Sequence, residues 1–186
     1  MRRWLRACVR RRRRRGLPGR RWSRRWRRLA RRSTVNGSAA GPEVRLFLDA
    51  NIIVSGIAFS GAESDLLLLA EQGVYEAVTS EYVIAQVERV LLGKLRLSEP
   101  LVRAAMAALP VRVVGEPEAG LVEQAETVLR DPTDAPVLAA ALSADVEGLV
   151  TGDKDLHELE GSAPLRVLRT GDAIETVQAA RERDSE

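Results

Sequence analysis

Four acidic segments, each at the end of an apolar run, carry the residues best suited to chemistry. They are Leu48-Asp49-Ala50-Asn51, Ser80-Glu81 with its helix, Arg130-Asp131-Pro132-Thr133-Asp134, and Thr151-Gly152-Asp153-Lys154-Asp155. Carboxylates scattered along a chain and folded to one spot make a site for magnesium or manganese. Such an ion takes oxygen ligands and fills its remaining positions with water and substrate phosphate, so the arrangement points to phosphodiester chemistry.

The rest of the inventory narrows the field. There is one histidine, His157, and one cysteine, Cys8. A histidine-pair ribonuclease, a Cys/His zinc site and a disulfide framework each need more such residues than exist here. Ser-His-Asp catalysis would have to use His157, which lies in the acidic helical stretch Lys154-Asp155-Leu156-His157-Glu158-Leu159-Glu160, and no nucleophile-elbow glycine pattern occurs. Phosphotransfer on an aspartate, as in haloacid-dehalogenase-like enzymes, would want a second acid two residues after Asp49, where Asn51 stands. An intracellular, cytoplasmic location is expected. No apolar run approaches the roughly 20 residues that span a bilayer, so no membrane association is expected. A secretory signal is disfavoured because no apolar stretch follows the basic start, and Ser23-Arg24-Arg25 is followed by further arginines.

A net charge of +3 hides two opposite parts. Residues 1–42 hold 17 arginines and no acid, whereas residues 43–186 hold 12 basic and 26 acidic residues, a formal charge of −14. The partition is therefore a basic extension over 1–42 and one domain over 43–186, of a size that buries roughly two-thirds of its unfolded surface. The extension contains the unbroken run Arg10–Arg15, all three tryptophans (Trp4, Trp22, Trp26) and a small-residue stretch from Ser33 to Pro42. Like charges at that density repel and bury too little apolar surface to order themselves, so disorder is expected. Read functionally, it is a nucleic-acid arm, with arginines on phosphates and tryptophans on bases. The favoured alternative is a translated GC-rich upstream region, with Val35 or Val44 as the natural start; a solvated tail is the third reading.

The acids need elements to position them. From Val44 onward, short aliphatic runs alternate with helical patterns, the signature of a parallel sheet covered on both faces. Strands are expected at 44–48, 76–79, 111–114, 147–151 and 166–168. Helices are expected at 62–72, 80–92, 98–108, 119–129, 134–144, 154–159 and 171–182. Ser80 and Ser98 suit N-caps, and Gly73 and Gly93 stand where helices commonly stop. In open α/β sheets, ligands gather beyond the carboxyl ends of the strands. Asp49 follows the first strand, Asp153 follows the fourth, and Asp131 and Asp134 open the helix before the fourth.

Each acid also has a plainer reading. Asp49 could be a loop acid after a strand, Asp134 a helix cap favoured by the positive N-terminus, and Asp153 a turn residue after Gly152. Turn and cap chemistry explains Asp131 or Asp155 equally well. His157 is read as a surface residue, and Glu81 and Glu88 as solvated helix charges.

Four motifs together resemble the PIN domain, the metal-dependent ribonuclease fold of VapC-type toxins, over about residues 44–175. They are Leu48-Asp49-Ala50-Asn51-Ile52-Ile53-Val54-Ser55, Thr79-Ser80 before a helix ending in Val90-Leu91, Arg130–Asp134 before an alanine-rich helix, and Leu149-Val150-Thr151-Gly152-Asp153-Lys154-Asp155-Leu156. The resemblance implies a three-layer α/β/α sandwich with a central parallel sheet that hydrolyses RNA with one or two divalent ions, Mg²⁺ or Mn²⁺. By position, Asp49, Asp134 and Asp153 match the first, third and fourth acids, as catalytic and metal-binding residues. Asp131 and Asp155 match auxiliary acids, and Asn51 and Thr151 match polar neighbours that orient ligands or water. An antitoxin protein and a homodimer are implied as partners.

The departure is the second acid, because Gln86 stands where the family pattern has glutamate. Glu88 lies about 200° and Glu81 about 140° from it around a helix, so neither simply replaces it. An amide oxygen can still ligate a cation but lowers the site's charge by one. Two functions follow: a ribonuclease, or a PIN-like module that binds RNA or a protein without turnover. Arg89, Arg96 and Arg130 are the candidates to offset the acidic surface for RNA.

Overall fold

The computed structural model describes residues 44–159 and 165–183. The extension over 1–42 lies outside them. Five short strands form one sheet: β1 (Arg45–Leu48), β2 (Glu76–Ser80), β3 (Val111–Val114), β4 (Gly148–Val150) and β5 (Arg166–Leu168). Their order is β3-β2-β1-β4-β5, and every neighbouring pair is parallel. Leu46, Phe47 and Leu48 of the central strand are fully buried, as expected where a parallel sheet is covered on both faces. The fold is the expected α/β/α sandwich.

The helices, in chain order, are α1 (Ala50–Ala58), α2 (Ala62–Glu71), α3 (Glu81–Arg89), α4 (Glu99–Ala107), α5 (Ala119–Val128), α6 (Ala135–Ser143), α7 (Lys154–His157) and α8 (Thr170–Arg183). A short 3₁₀ turn, Pro132–Asp134, leads into α6. No single helix among the described residues is long and apolar enough to cross a membrane.

The strand order has one point of reversal. From β1 the chain moves outward to β2 and β3; from β4 it moves the opposite way to β5. The connections leaving β1 and β4 therefore diverge, which opens a crevice at their carboxyl ends. Asp49 and the segment Thr151–Asp153 border that crevice.

Two elements differ from expectation. Helix α1 directly follows Asp49, although Ile52-Ile53-Val54 is a β-branched run that argues against a helix. Tertiary packing prevails: Ile52 and Ile53 are buried and Ile57 packs on the core. Gly56 permits the close approach of α1 to α2, because a Cβ there would lie 2.5 Å from Leu67 Cδ1 and 2.9 Å from the Glu63 carbonyl. Gly93, in turn, does not stop a helix. It sits within a π-helical turn, Val90–Lys94, that prolongs α3 and closes with Leu95 N–H on the Val90 carbonyl.

Gly73 does end α2, with φ +70°, a left-handed conformation suited to glycine. Ser80 caps α3 by accepting from Val83 N–H, whereas Ser98 precedes α4 with no side-chain capping bond. At the amino end of the sheet the charges are paired. Arg45 Nη1 donates to Asp145 at 2.7 Å, and Arg45 Nε lies 3.0 Å from Glu76 in an ion pair without hydrogen-bond alignment. The carboxyl end is the reverse case.

Candidate functional site

Asp49 leaves β1 in extended conformation and becomes the N-cap of α1. It is 7% exposed, and three donors hold its carboxylate. Ala50 N–H donates to Oδ1 at 2.6 Å; Asn51 Nδ2 and Thr151 Oγ1 donate to Oδ2 at 2.8 and 2.7 Å. A carboxylate accepts at about four positions, so one on Oδ1 is left over. Burial pushes the Asp49 carboxyl above its usual range, the Thr151 and Ala50 hydrogen bonds oppose the shift, the nearby Asp153 charge adds to it, and the Asn51 bond lowers it again.

Thr151 joins β4 to this acid. Its backbone N–H donates to Leu168 of β5, and its fully buried hydroxyl donates to Asp49 while accepting from Asp153 N–H at 3.0 Å and Asn51 Nδ2 at 3.3 Å. That uses the one donor and both lone pairs of the hydroxyl. Asn51 extends the network, accepting from Gly152 N–H at 3.2 Å. Asn51 and Thr151 thus fix the Asp49 carboxylate and lock the β4–α7 turn to the start of α1. The half-buried His157, expected on the surface, anchors the same turn: its Nε2–H donates to the Thr151 carbonyl at 3.0 Å.

Asp134 arrives from another element. Helix α6 is alanine-rich, and Ala135, Val137, Leu138, Ala139, Ala140 and Ala141 are all buried. Small side chains let this helix lie close to β2 and β4, which brings its N-terminus to the strand ends. Asp134 occupies the N-cap position yet makes no capping bond. Its carboxyl is pushed up to about 6, first by partial burial and then by the charges of Asp153, Asp131, Asp49 and Asp155. Five acids from three separate segments therefore share one electrostatic neighbourhood.

The remaining candidates divide. Asp153 caps α7, accepting from Asp155 N–H at 2.8 Å. Asp131 is exposed and accepts from Thr133 N–H and Oγ1 at 2.9 and 2.7 Å, bonds that lower its pKa and account for it as a turn acid. Gln86 is half-buried on α3, three residues from the buried Val83, and α3 packs against α1 and α6. No hydrogen bond to its side chain occurs among the described residues. Glu81 and Glu88 are exposed on the same helix, as are Arg89 at its end and Arg130 before the 3₁₀ turn.

The donors are hard oxygens, as magnesium or manganese requires, and their mutual repulsion is the field that a dication relieves. Among the described residues no three acids stand close enough to enclose an ion by themselves. The chemistry of the donors suits such an ion, whereas their placement leaves most of its coordination positions to water or substrate. Sequence reasoning missed α1, the Thr151–His157 anchor and Arg169, which lines a cleft beside the site. Apolar spacing at Ile52, Ile53 and Ile57 after a capping aspartate was the available signal for α1.

Residues 45–155 match the PIN domain family. No curated protein sequence matches the chain. Among solved structures, the fold is similar to that of PAE2754 from Pyrobaculum aerophilum, with a TM-score of 0.53 and 17% identity over 73% of this chain and 96% of that one. It is also similar to VapBC2 from Rickettsia felis bound to a DNA fragment from the promoter, with a TM-score of 0.52 and 15% identity over 68% and 98% of the two chains.

Proposed function

The chain belongs to the PIN domain family, and from that premise we propose that it is a magnesium- or manganese-dependent ribonuclease, the toxin of a type II toxin–antitoxin pair acting in the cytoplasm. The observation that carries the reading is the Asp49 carboxylate, held by three donors at the carboxyl end of β1 beside the Thr151–Asp153 turn, with Asp134 uncapped and pushed up to about 6 by partial burial and then by the charges of Asp153, Asp131, Asp49 and Asp155. Those three residues would hold the ion, with Gln86, Asp131 and Asp155 assisting. When bound, the ion supplies an activated water and polarises the scissile phosphate. No protein nucleophile is required.

The chain's own residues prepare that centre. Three hydrogen bonds fix the Asp49 carboxylate and leave one acceptor position on Oδ1 unfilled. Asn51 and Thr151 act as positioning residues through Asp49. Asp134, free of capping bonds, is available to a ligand. An antitoxin would set a basic side chain against the same carboxylates, and VapBC2 of similar fold offers a precedent for a paired partner. A homodimer is part of the same proposal.

Gln86 favours a second reading, a module that binds RNA or a partner without turnover, because a neutral amide weakens the cation site. The test is cleavage of a mixed structured and single-stranded RNA by the full chain with manganese, with chelator, and with Asp49→Asn. Cleavage lost in both controls supports the nuclease. A folded chain that cleaves nothing at any magnesium or manganese level sinks it and supports the second reading.

A further inference from the structure

Beside the acid cluster lies an open cleft of about 440 Å³, bounded by α1, the start of α2, the β4–α7 turn and the β5–α8 turn. That volume is within the range of about 300–1,000 Å³ that holds a small ligand. Asn51, Thr151 and Gly152 form one wall, and the first two are the residues that hold Asp49. An occupant of the cleft would therefore adjoin the groups that set the proposed catalytic carboxylate.

The opposite wall carries one cation and one anion. Arg169, between β5 and α8, is exposed, and its guanidinium has no hydrogen bond or ion pair among the described residues. Glu63 in the first turn of α2 accepts from Thr170 Oγ1 at 3.1 Å through Oε1, leaving acceptor capacity on its carboxylate. A guanidinium, with its planar fork of donors, suits a phosphate. A carboxylate that repels bare phosphate suits the hydroxyl or amine donors of a nucleoside. The two together match a nucleotide better than either an inorganic anion or an apolar ligand.

We propose that this cleft is a subsite for the nucleotide adjoining the scissile phosphate of an RNA strand, with Arg169 on its phosphate and Glu63 accepting from its sugar or base. The proposal rests on the ribonuclease reading for its place in the reaction, and its binding test stands apart from turnover.

Fluorescence anisotropy of a labelled single-stranded RNA hexamer, in chelator so that nothing is cleaved, compares the full-length chain with Arg169→Ala, Arg169→Lys and Arg103→Ala. Arg103 is an exposed arginine on α4, away from the cleft, and controls for loss of one charge. Arg169→Ala is expected to weaken binding about tenfold and to reduce the slope of log affinity against log salt by about 0.7, the signature of one lost phosphate contact on a single strand. Arg169→Lys should retain part of the affinity, and Arg103→Ala should match the parent. Equal affinity and slope for Arg169→Ala and the parent would overturn the subsite. Cleavage with manganese is scored in parallel: cleavage with an inert Arg169→Ala removes the subsite alone, whereas an Arg169-dependent affinity without cleavage removes the nuclease reading and leaves the subsite as a binding site.

Discussion

Asp134→Asn is expected to make the metal-free protein more stable at pH 8 while removing its activity. The structure supplies the reason. Asp134 makes no capping bond that asparagine would lose, and its folded pKa of about 6 lies above the ordinary 3.8. Because the fold raises this pKa, the folded state binds the proton more tightly than the unfolded chain does. Its contribution is therefore most favourable below about pH 3.8 and is lost as pH rises through about 6. Above that point the ionised carboxylate opposes folding. A shift of about two units corresponds to about 3 kcal/mol at 1.36 kcal/mol per unit. Asp134 is only partly buried, and solvent screening reduces the figure to about 1 kcal/mol. For a chain of this size that is about 2–4 °C in melting temperature. The assay is thermal unfolding in chelator between pH 4.5 and 8. The gap between Asp134→Asn and the parent should open across pH 4–7, and saturating magnesium should close it by stabilising the parent. A gap that is absent, or constant with pH, would show that neither partial burial nor the neighbouring acids raise this carboxyl and would refute the reasoning.

Other perturbations test the supports of the site. Thr151→Val removes the hydroxyl that serves Asp49, Asn51 and Asp153 at once, and should cost about 1–3 kcal/mol in urea unfolding because the Asp49 carboxylate stays buried with fewer donors. Gln86→Glu should tighten manganese binding in calorimetric titration and raise cleavage, while lowering metal-free stability by adding another acid; unchanged affinity would place Gln86 outside the ion's reach. Gly56→Ala gains about 1 kcal/mol of helix propensity but meets the Glu63 carbonyl, a backbone atom that cannot step aside. Overpacking of about 1–3 kcal/mol should prevail, seen as a lower unfolding midpoint.

Much of this architecture was legible in the chain. Strand–helix alternation located the five strands to within a residue or two, since short aliphatic runs such as Leu46–Leu48 and Leu149–Val150, separated by helical patterns, suit a parallel sheet covered on both faces. The positions of Asp49 and Asp153 at strand ends followed from the same alternation. What stayed hidden depended on partners distant in sequence. Ile52-Ile53-Val54 becomes helical because α2 offers Leu67 beside Gly56, and local propensity carries no trace of that neighbour. Gly93 sits in a π-helical turn for which no residue type is diagnostic. His157 is on the surface by composition, yet it is committed to the Thr151 carbonyl. Arg169 stood outside every acidic motif, and only the closing of β5 against β4 brings it beside Asn51 and Gly152.

The hydrogen bond between Thr151 and Asp49 spans 102 residues of chain, and so dates the birth of the site. During synthesis Asp49 emerges early, but its carboxylate has no Thr151 to meet until β4 has left the ribosome and paired with β1. A contact of that sequence separation is among the last to repay its loop-closure entropy. Nascent or truncated chains ending before β4 hold much of the hydrophobic core but lack the Thr151 hydroxyl that fixes Asp49. The buried setting of Asp49 is therefore assembled only once β4 has paired with β1, and a chain that stops short of β4 leaves that carboxylate without its Thr151 donor.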